Sequence, residues 1–119
     1  MKLIIAGGRD MFVGEELLKY AVGHYIKTQP NEIVSGGASG IDAAGERHAI
    51  YGNIDIKRFP ANWDEHGRAA GPIRNREMAQ YADELLLVWD GKSRGSASMK
   101  KEMLMLKKPV HEIILRSSL

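Results

Sequence analysis

Apolar and polar residues follow one another along this chain in blocks that switch between two periods. Lys2 to Ala6 is a compact apolar stretch that predicts a strand, and it ends at Gly7-Gly8-Arg9-Asp10. From Val13 the apolar positions Val13, Leu17, Leu18, Ala21, Val22, Tyr25 and Ile26 recur with helical spacing on one face. Gln29-Pro30-Asn31 breaks that helix. A second strand, Glu32 to Ser35, runs into glycines, and a helix with a small-residue face (Ala43, Ala44, Ala49) follows from Ile41 to about Tyr51. Asp55 to Phe59 predicts a third strand, and Pro60 to Arg68 a polar loop with one tryptophan. Gly71-Pro72 starts a third helix, with proline where a missing N–H is harmless. Glu84 to Trp89 is the most apolar strand and the candidate centre of the sheet. Asp90 to Ser96 is a second glycine-containing loop, followed by a helix from about Ala97 to Lys107 and a last strand from Pro109 to Leu115.

Strand–helix alternation throughout predicts an α/β fold: one Rossmann-like three-layer domain over residues 1–119, with helices on both faces of a five-stranded parallel sheet. The expected strand order is 3-2-1-4-5, with a switch point between the first and fourth strands. Ligands in such sheets sit there, outside the carboxyl ends of the strands. The loops Gly7–Asp10, Gly36–Gly40, Asn62–Arg68 and Asp90–Ser96 are then brought to one edge.

Composition narrows the chemistry. A chain of 119 residues with 44% apolar and 27% charged residues suits one soluble domain. Without cysteine, disulfides and thiol catalysis drop out, and the four scattered histidines suggest no metal site. No apolar run is long enough to span a membrane, and the N-terminus enters a strand at once without signal-peptide anatomy, which points to the cytoplasm. Residues 92–119 carry seven basic and two acidic side chains, read as a solvated basic helix in preference to a nucleic-acid patch.

The chemistry sits in the loops. Ser35-Gly36-Gly37-Ala38-Ser39-Gly40-Ile41-Asp42 reads as a strand, a tight turn and a helix start that would aim free N–H groups at an anion. A purely structural turn is the alternative. Gly7, Gly8, Arg9 and Asp10 add a close-approach turn, a cation and a carboxylate. Arg74 and Asn75, placed in the first turn of their helix, suit a phosphate or carboxylate, or else a helix-start salt bridge. Ser93, Gly95 and Ser96 form a further candidate phosphate cradle, with Ser96 as a helix N-cap the alternative. Trp63 is a candidate base-stacking residue, whereas Trp89 reads as core.

Gly7–Asp10, Val34–Asp42, Ala70–Met78 and Trp89–Ser96 together, in this order, resemble the SLOG superfamily, and within it the small stand-alone branch related to YspA and YpsA of bacteria and their phages. The resemblance spans nearly the whole chain. It implies a Rossmann-like sheet binding a nucleotide or nucleotide-derived ligand, with no separate cofactor, and a homodimer. The superfamily includes the Lonely Guy phosphoribohydrolases, which cleave a base from a nucleoside 5′-monophosphate with an Arg and a Glu. Arg74 matches the first, but Met99 stands where the Glu belongs, so the resemblance carries ligand class further than activity. Asp10 or Asp42 would be the carboxylate of any N-glycosidic hydrolysis. It also includes the DNA-processing protein A family, which makes single-stranded nucleic acid the alternative partner, disfavoured by low net charge and 7% aromatic residues. A non-catalytic interaction module is a third reading. Met99, Met103, Leu104, Met105 and Leu106 give one helix more apolar surface than a single face needs, leaving part of it for a second copy or all of it for the core.

Overall fold

The computed structural model describes residues 1–116. Strands β1 (Lys2–Gly7), β2 (Glu32–Ser35), β3 (Asp55–Arg58), β4 (Glu84–Trp89) and β5 (Val110–Ile114) form one sheet in the order β3-β2-β1-β4-β5. Every neighbouring pair is parallel. Between them run α1 (Glu15–Tyr25), α2 (Ile41–Tyr51), α3 (Trp63–His66), a 3₁₀ turn (Gly67–Ala69), α4 (Ala70–Tyr81) and α5 (Arg94–Met105). Among the described residues no helix is long and apolar enough to cross a membrane.

The two-residue alternation of the strands sorts the core into two halves. Leu3 and Ile5 of β1, Ile33 of β2, and Leu86 and Val88 of β4 face α1 and α2, meeting Leu18, Val22, Ile41 and Ala49. Ile4, Val34, Leu85 and Leu87 face the opposite side and meet Met78, Ala79, Met99 and Met103 of α4 and α5. Lys108 fastens this second layer: its Nζ donates to the carbonyls of Ala79 and Ala82, each at 2.7 Å, capping the negative end of α4.

The structure departs from the sequence reading at helix ends. Helix α1 starts at Glu15 behind an extended Gly14, so Val13 reaches the core from the preceding loop. Only Leu18, Ala21 and Val22 of its turns are buried, while Leu17 and Tyr20 face solvent. The polar loop after β3 contains α3, because Asn62 accepts from the Glu65 N–H at 3.1 Å and returns a bond from Nδ2 to the Glu65 carboxylate at 3.0 Å. Of the five apolar residues late in α5, Met99 and Met103 are buried and Leu104, Met105 and Leu106 are exposed.

Backbone contact at the ends of β1 and β4 admits no side chain at position 7: a β-carbon there would lie 1.7 Å from the Val88 carbonyl oxygen. Gly7→Ala is expected to lower the unfolding free energy by about 3 kcal/mol, measured by urea denaturation. Gly23→Ala, in the last turn of α1 with nothing within 4 Å of the added carbon, should instead stabilise by about 0.5 kcal/mol.

Candidate functional site

The carboxyl ends of β1, β2 and β4 are tied together through glycine. The Gly8 N–H donates to the Val88 carbonyl at 3.1 Å, and the Gly8 carbonyl accepts from the Ile41 N–H at 3.1 Å. This brings the β1 loop onto the start of α2, where Gly40 has φ +74° and its missing β-carbon would lie 2.2 Å from the Gly8 carbonyl oxygen. Both the left-handed backbone and the close approach need glycine at position 40. Ser39 Oγ adds a bond to the Arg9 carbonyl at 3.2 Å.

Above this floor lies a cleft in two compartments. The inner one holds about 270 Å³. The β1 loop contributes Gly7, Gly8, Arg9 and Asp10 to its lining, and the β2 loop contributes Gly36, Ala38 and Asp42. Arg74 and Asn75 come from α4, and Ser93, Gly95 and Ser96 from the start of α5. The outer compartment, about 680 Å³, is lined by Gly37 and Trp63 together with Pro60 and Arg58. Arg9, Gly36, Ala38 and Arg74 border both. Of the site residues expected from sequence, Ser35 and Gly40 line neither compartment.

Ser35 is fully buried and holds the loop from beneath. Its hydroxyl accepts from the Gly37 N–H at 3.0 Å and donates to Glu46 at 2.7 Å. Glu46 in turn accepts from Arg58 Nε at 2.9 Å, and these partners keep its carboxyl below the usual range despite partial burial. Arg58 therefore reaches the outer compartment already paired.

Arg74 and Asn75 lie in the second turn of α4, because the helix begins at Ala70 after the 3₁₀ turn. The free N–H groups of the helix start are therefore not beside them, contrary to the expectation from Gly71-Pro72. Their placement comes from side-chain bonds. Arg74 Nη1 donates to the Gly36 carbonyl at 2.7 Å and Nε to Asn75 Oδ1 at 3.0 Å, while Asn75 Nδ2 reaches the Gly95 carbonyl and Ser98 Oγ on α5. Gly36 makes this possible, since a β-carbon there would lie 2.7 Å from Arg74 Nη1 and 2.9 Å from Asp42 Oδ2.

The two helix starts in the cleft differ in a way that sequence did not foresee. At α2 the first N–H is taken by Gly8, and the buried carboxylate of Asp42 already sits at the positive helix end, accepting from the Ala38 N–H at 3.3 Å. Burial pushes the Asp42 carboxyl up from its ordinary 3.8 to about 6, against the pull of the Ala38 and Gly7 N–H groups and of Arg74. Burial likewise lowers the Arg74 guanidinium, with Asp42 opposing and Arg9 assisting.

At α5 no acidic residue lies within the first turn, and the nearest carboxylate, Asp90, stands in the turn before it. Ser93, not Ser96, is the N-cap: its hydroxyl accepts from the Ser96 N–H at 3.4 Å, and the helix starts three residues earlier than the pattern predicts. Asp90, a cleft residue the motif reading passed over, shapes this turn by accepting from the N–H groups of Lys92 and Ser93, which hold its carboxyl low. Its signal was the Asp-Gly pair that opens the turn. Ser96 falls inside the first turn, 5% exposed, and its Oγ is the one buried side-chain polar atom without a partner among the described residues. The first-turn N–H groups of Arg94 and Gly95 have no acceptor within the helix.

The raised Asp42 carboxyl has a defined stability consequence. Because the folded protein holds that proton more tightly than the unfolded chain, the contribution of Asp42 to stability is fully present below about pH 4 and is lost as pH rises through about 6. The shift corresponds to about 3 kcal/mol. Asp42→Asn is expected to raise stability at pH 7.5 by up to that amount, with the gain vanishing below pH 4, in paired denaturation curves. Comparison with protein-family models, with curated proteins and with solved structures finds no match to this chain, so its functional reading rests on its own residues.

Proposed function

We propose that the cleft binds a nucleotide or nucleotide-derived ligand, as the resemblance to the SLOG superfamily implies, with its phosphate against the first turn of α5. The observation that carries this reading is the Ser96 hydroxyl. A buried polar group left without a partner costs about 1–3 kcal/mol, and a phosphate oxygen beside it would supply the partner. The α5 N–H groups and the Arg9 and Arg74 guanidiniums lie around the same compartment, a donor set suited to a phosphate. Trp63, 51% exposed, offers the ligand's base one stacking face in the outer compartment, where the apolar Pro60 and Ala61 also lie. One such face suits a single base better than a strand of nucleic acid.

Hydrolysis of the N-glycosidic bond is a second reading, and Asp42 favours it. Met99, at the position of the family Glu, is buried and has no ionisable group, whereas the Asp42 carboxyl, near 6 and lining the inner compartment, can exchange a proton at neutral pH.

Calorimetric titration with nucleoside mono- and diphosphates, nucleotide sugars and dinucleotides tests the binding reading. At least one is expected to bind, Ser96→Ala to weaken it about tenfold, and Arg74→Ala to weaken it more. The ligand-free Ser96→Ala protein should melt no lower than wild type, since no hydrogen bond is lost. Absence of binding, or unchanged affinity in both variants, contradicts the reading. Scoring the same mixtures for free base, with Asp42→Asn as the inactive control, decides the second.

A further inference from the structure

The outer compartment is polar in one sense only. Among the described residues its lining brings the guanidiniums of Arg9, Arg58 and Arg74 and the hydroxyl of Ser39, with no carboxylate and no side-chain amide. Ser39 Oγ already donates to the Arg9 carbonyl, and the Gly36 carbonyl is taken by Arg74 Nη1. The inner compartment differs, since Asp10, Asp42 and Asp90 line it beside Arg9 and Arg74. A guanidinium carries five N–H donors and no acceptor. A ring lying on Trp63, Pro60 and Ala61 therefore meets charged groups that can only donate to its edge.

Arg58 is the guanidinium left for such a ring. Arg9 and Arg74 also border the inner compartment, where the phosphate is placed, whereas Arg58 lines the outer one alone. It ends β3 in register with Ser35 of β2, and Glu46 of α2 joins the two. The Glu46 carboxylate accepts from the Ser35 hydroxyl on Oε2 at 2.7 Å, and on Oε1 from Arg58 Nε at 2.9 Å and Nη2 at 2.7 Å. This pair uses the Nε side of the guanidinium. Its outer edge, Nη1 with the second proton of Nη2, is the edge that grips two neighbouring acceptors at once. The Arg58 side chain is 58% exposed, so the tether through Glu46 to the buried Ser35 is what orients it before a ligand arrives.

Bases differ in what they show to that edge. Guanine and hypoxanthine present O6 and N7, two acceptors side by side. Adenine presents N7 beside an amino group, so a donor would face a donor. We infer that the outer compartment selects a 6-oxopurine base, with Arg58 as the specificity-determining residue that reads O6 and N7. This rests on the nucleotide reading of the cleft and adds to it the class of base.

Calorimetric titration with guanosine, inosine and adenosine monophosphates and with 7-deazaguanosine monophosphate tests it. The guanosine and inosine nucleotides are expected to bind about tenfold tighter than the adenosine nucleotide. The 7-deaza nucleotide, with a C–H in place of N7, should fall towards the adenosine value. Arg58→Met should bring the guanosine-to-adenosine affinity ratio to about one, with circular dichroism checking the fold. The wild-type series decides the matter even if that variant does not fold. Adenosine monophosphate bound as tightly as the other two, a 7-deaza nucleotide bound as tightly as its parent, or a preference that survives Arg58→Met overturns this inference and leaves the nucleotide reading standing. So does affinity that follows the number of phosphates and ignores the base, which would put phosphate at Arg58. If none of the four nucleotides binds, the nucleotide reading fails and this inference fails with it.

Discussion

The cleft depends on one contact between backbones. The backbone of Gly8 bonds in both directions, its N–H donating to the Val88 carbonyl on β4 and its carbonyl accepting from the Ile41 N–H on α2, so three elements that are distant in sequence close into one rim. Gly7 and Gly40 are the conditions for that contact, because a β-carbon at either would overlap a carbonyl oxygen. Arg9, Asp10 and Asp42 are then carried on this rim into the cleft. Across it, Asn75 repeats the same logic with a side chain, joining Arg74 to the first turn of α5.

Two helix starts meet in this cleft, and the chain treats them differently. The start of α2 is neutralised internally, by the Gly8 carbonyl on its first N–H and by the Asp42 carboxylate beside it. The start of α5 holds no acidic residue in its first turn, and its buried Ser96 hydroxyl has no partner among the described residues. Asp42 and Ser96 thus share one property: each is held in an environment that folding alone would avoid. Such local conflict between stability and residue choice is expected where a protein is shaped for a ligand.

The fold was legible in the sequence because its three inner strands, β1, β2 and β4, are buried on both faces and all five are separated by helix-length segments, which leaves few arrangements other than a parallel sheet. Most cleft residues were legible too, since glycine turns at strand ends mark the ligand edge whatever the ligand. What escaped was decided by bonds between segments. Ser35 looked like an anion donor but lies beneath the loop, because Glu46, eleven residues on, takes its hydroxyl. Asn62 hid a short helix within a polar loop, and Ser93 moved the start of α5. The role of Asp42 depended on its depth of burial, which periodicity in a small-faced helix does not give. The outward face of α1 was merged with its inward face, since Leu17 and Leu18 are adjacent and only packing separates them.

The central claim is that the anion site lies at α5 and not at the glycine turn before α2. Amide chemical-shift mapping on the ¹⁵N-labelled protein, titrated with a nucleoside monophosphate, addresses it directly. The largest shifts are predicted at the N–H groups of Arg94, Gly95 and Ser96. If instead Gly37, Ala38 and the first turn of α2 shift while the start of α5 stays unmoved, the account of this cleft is wrong.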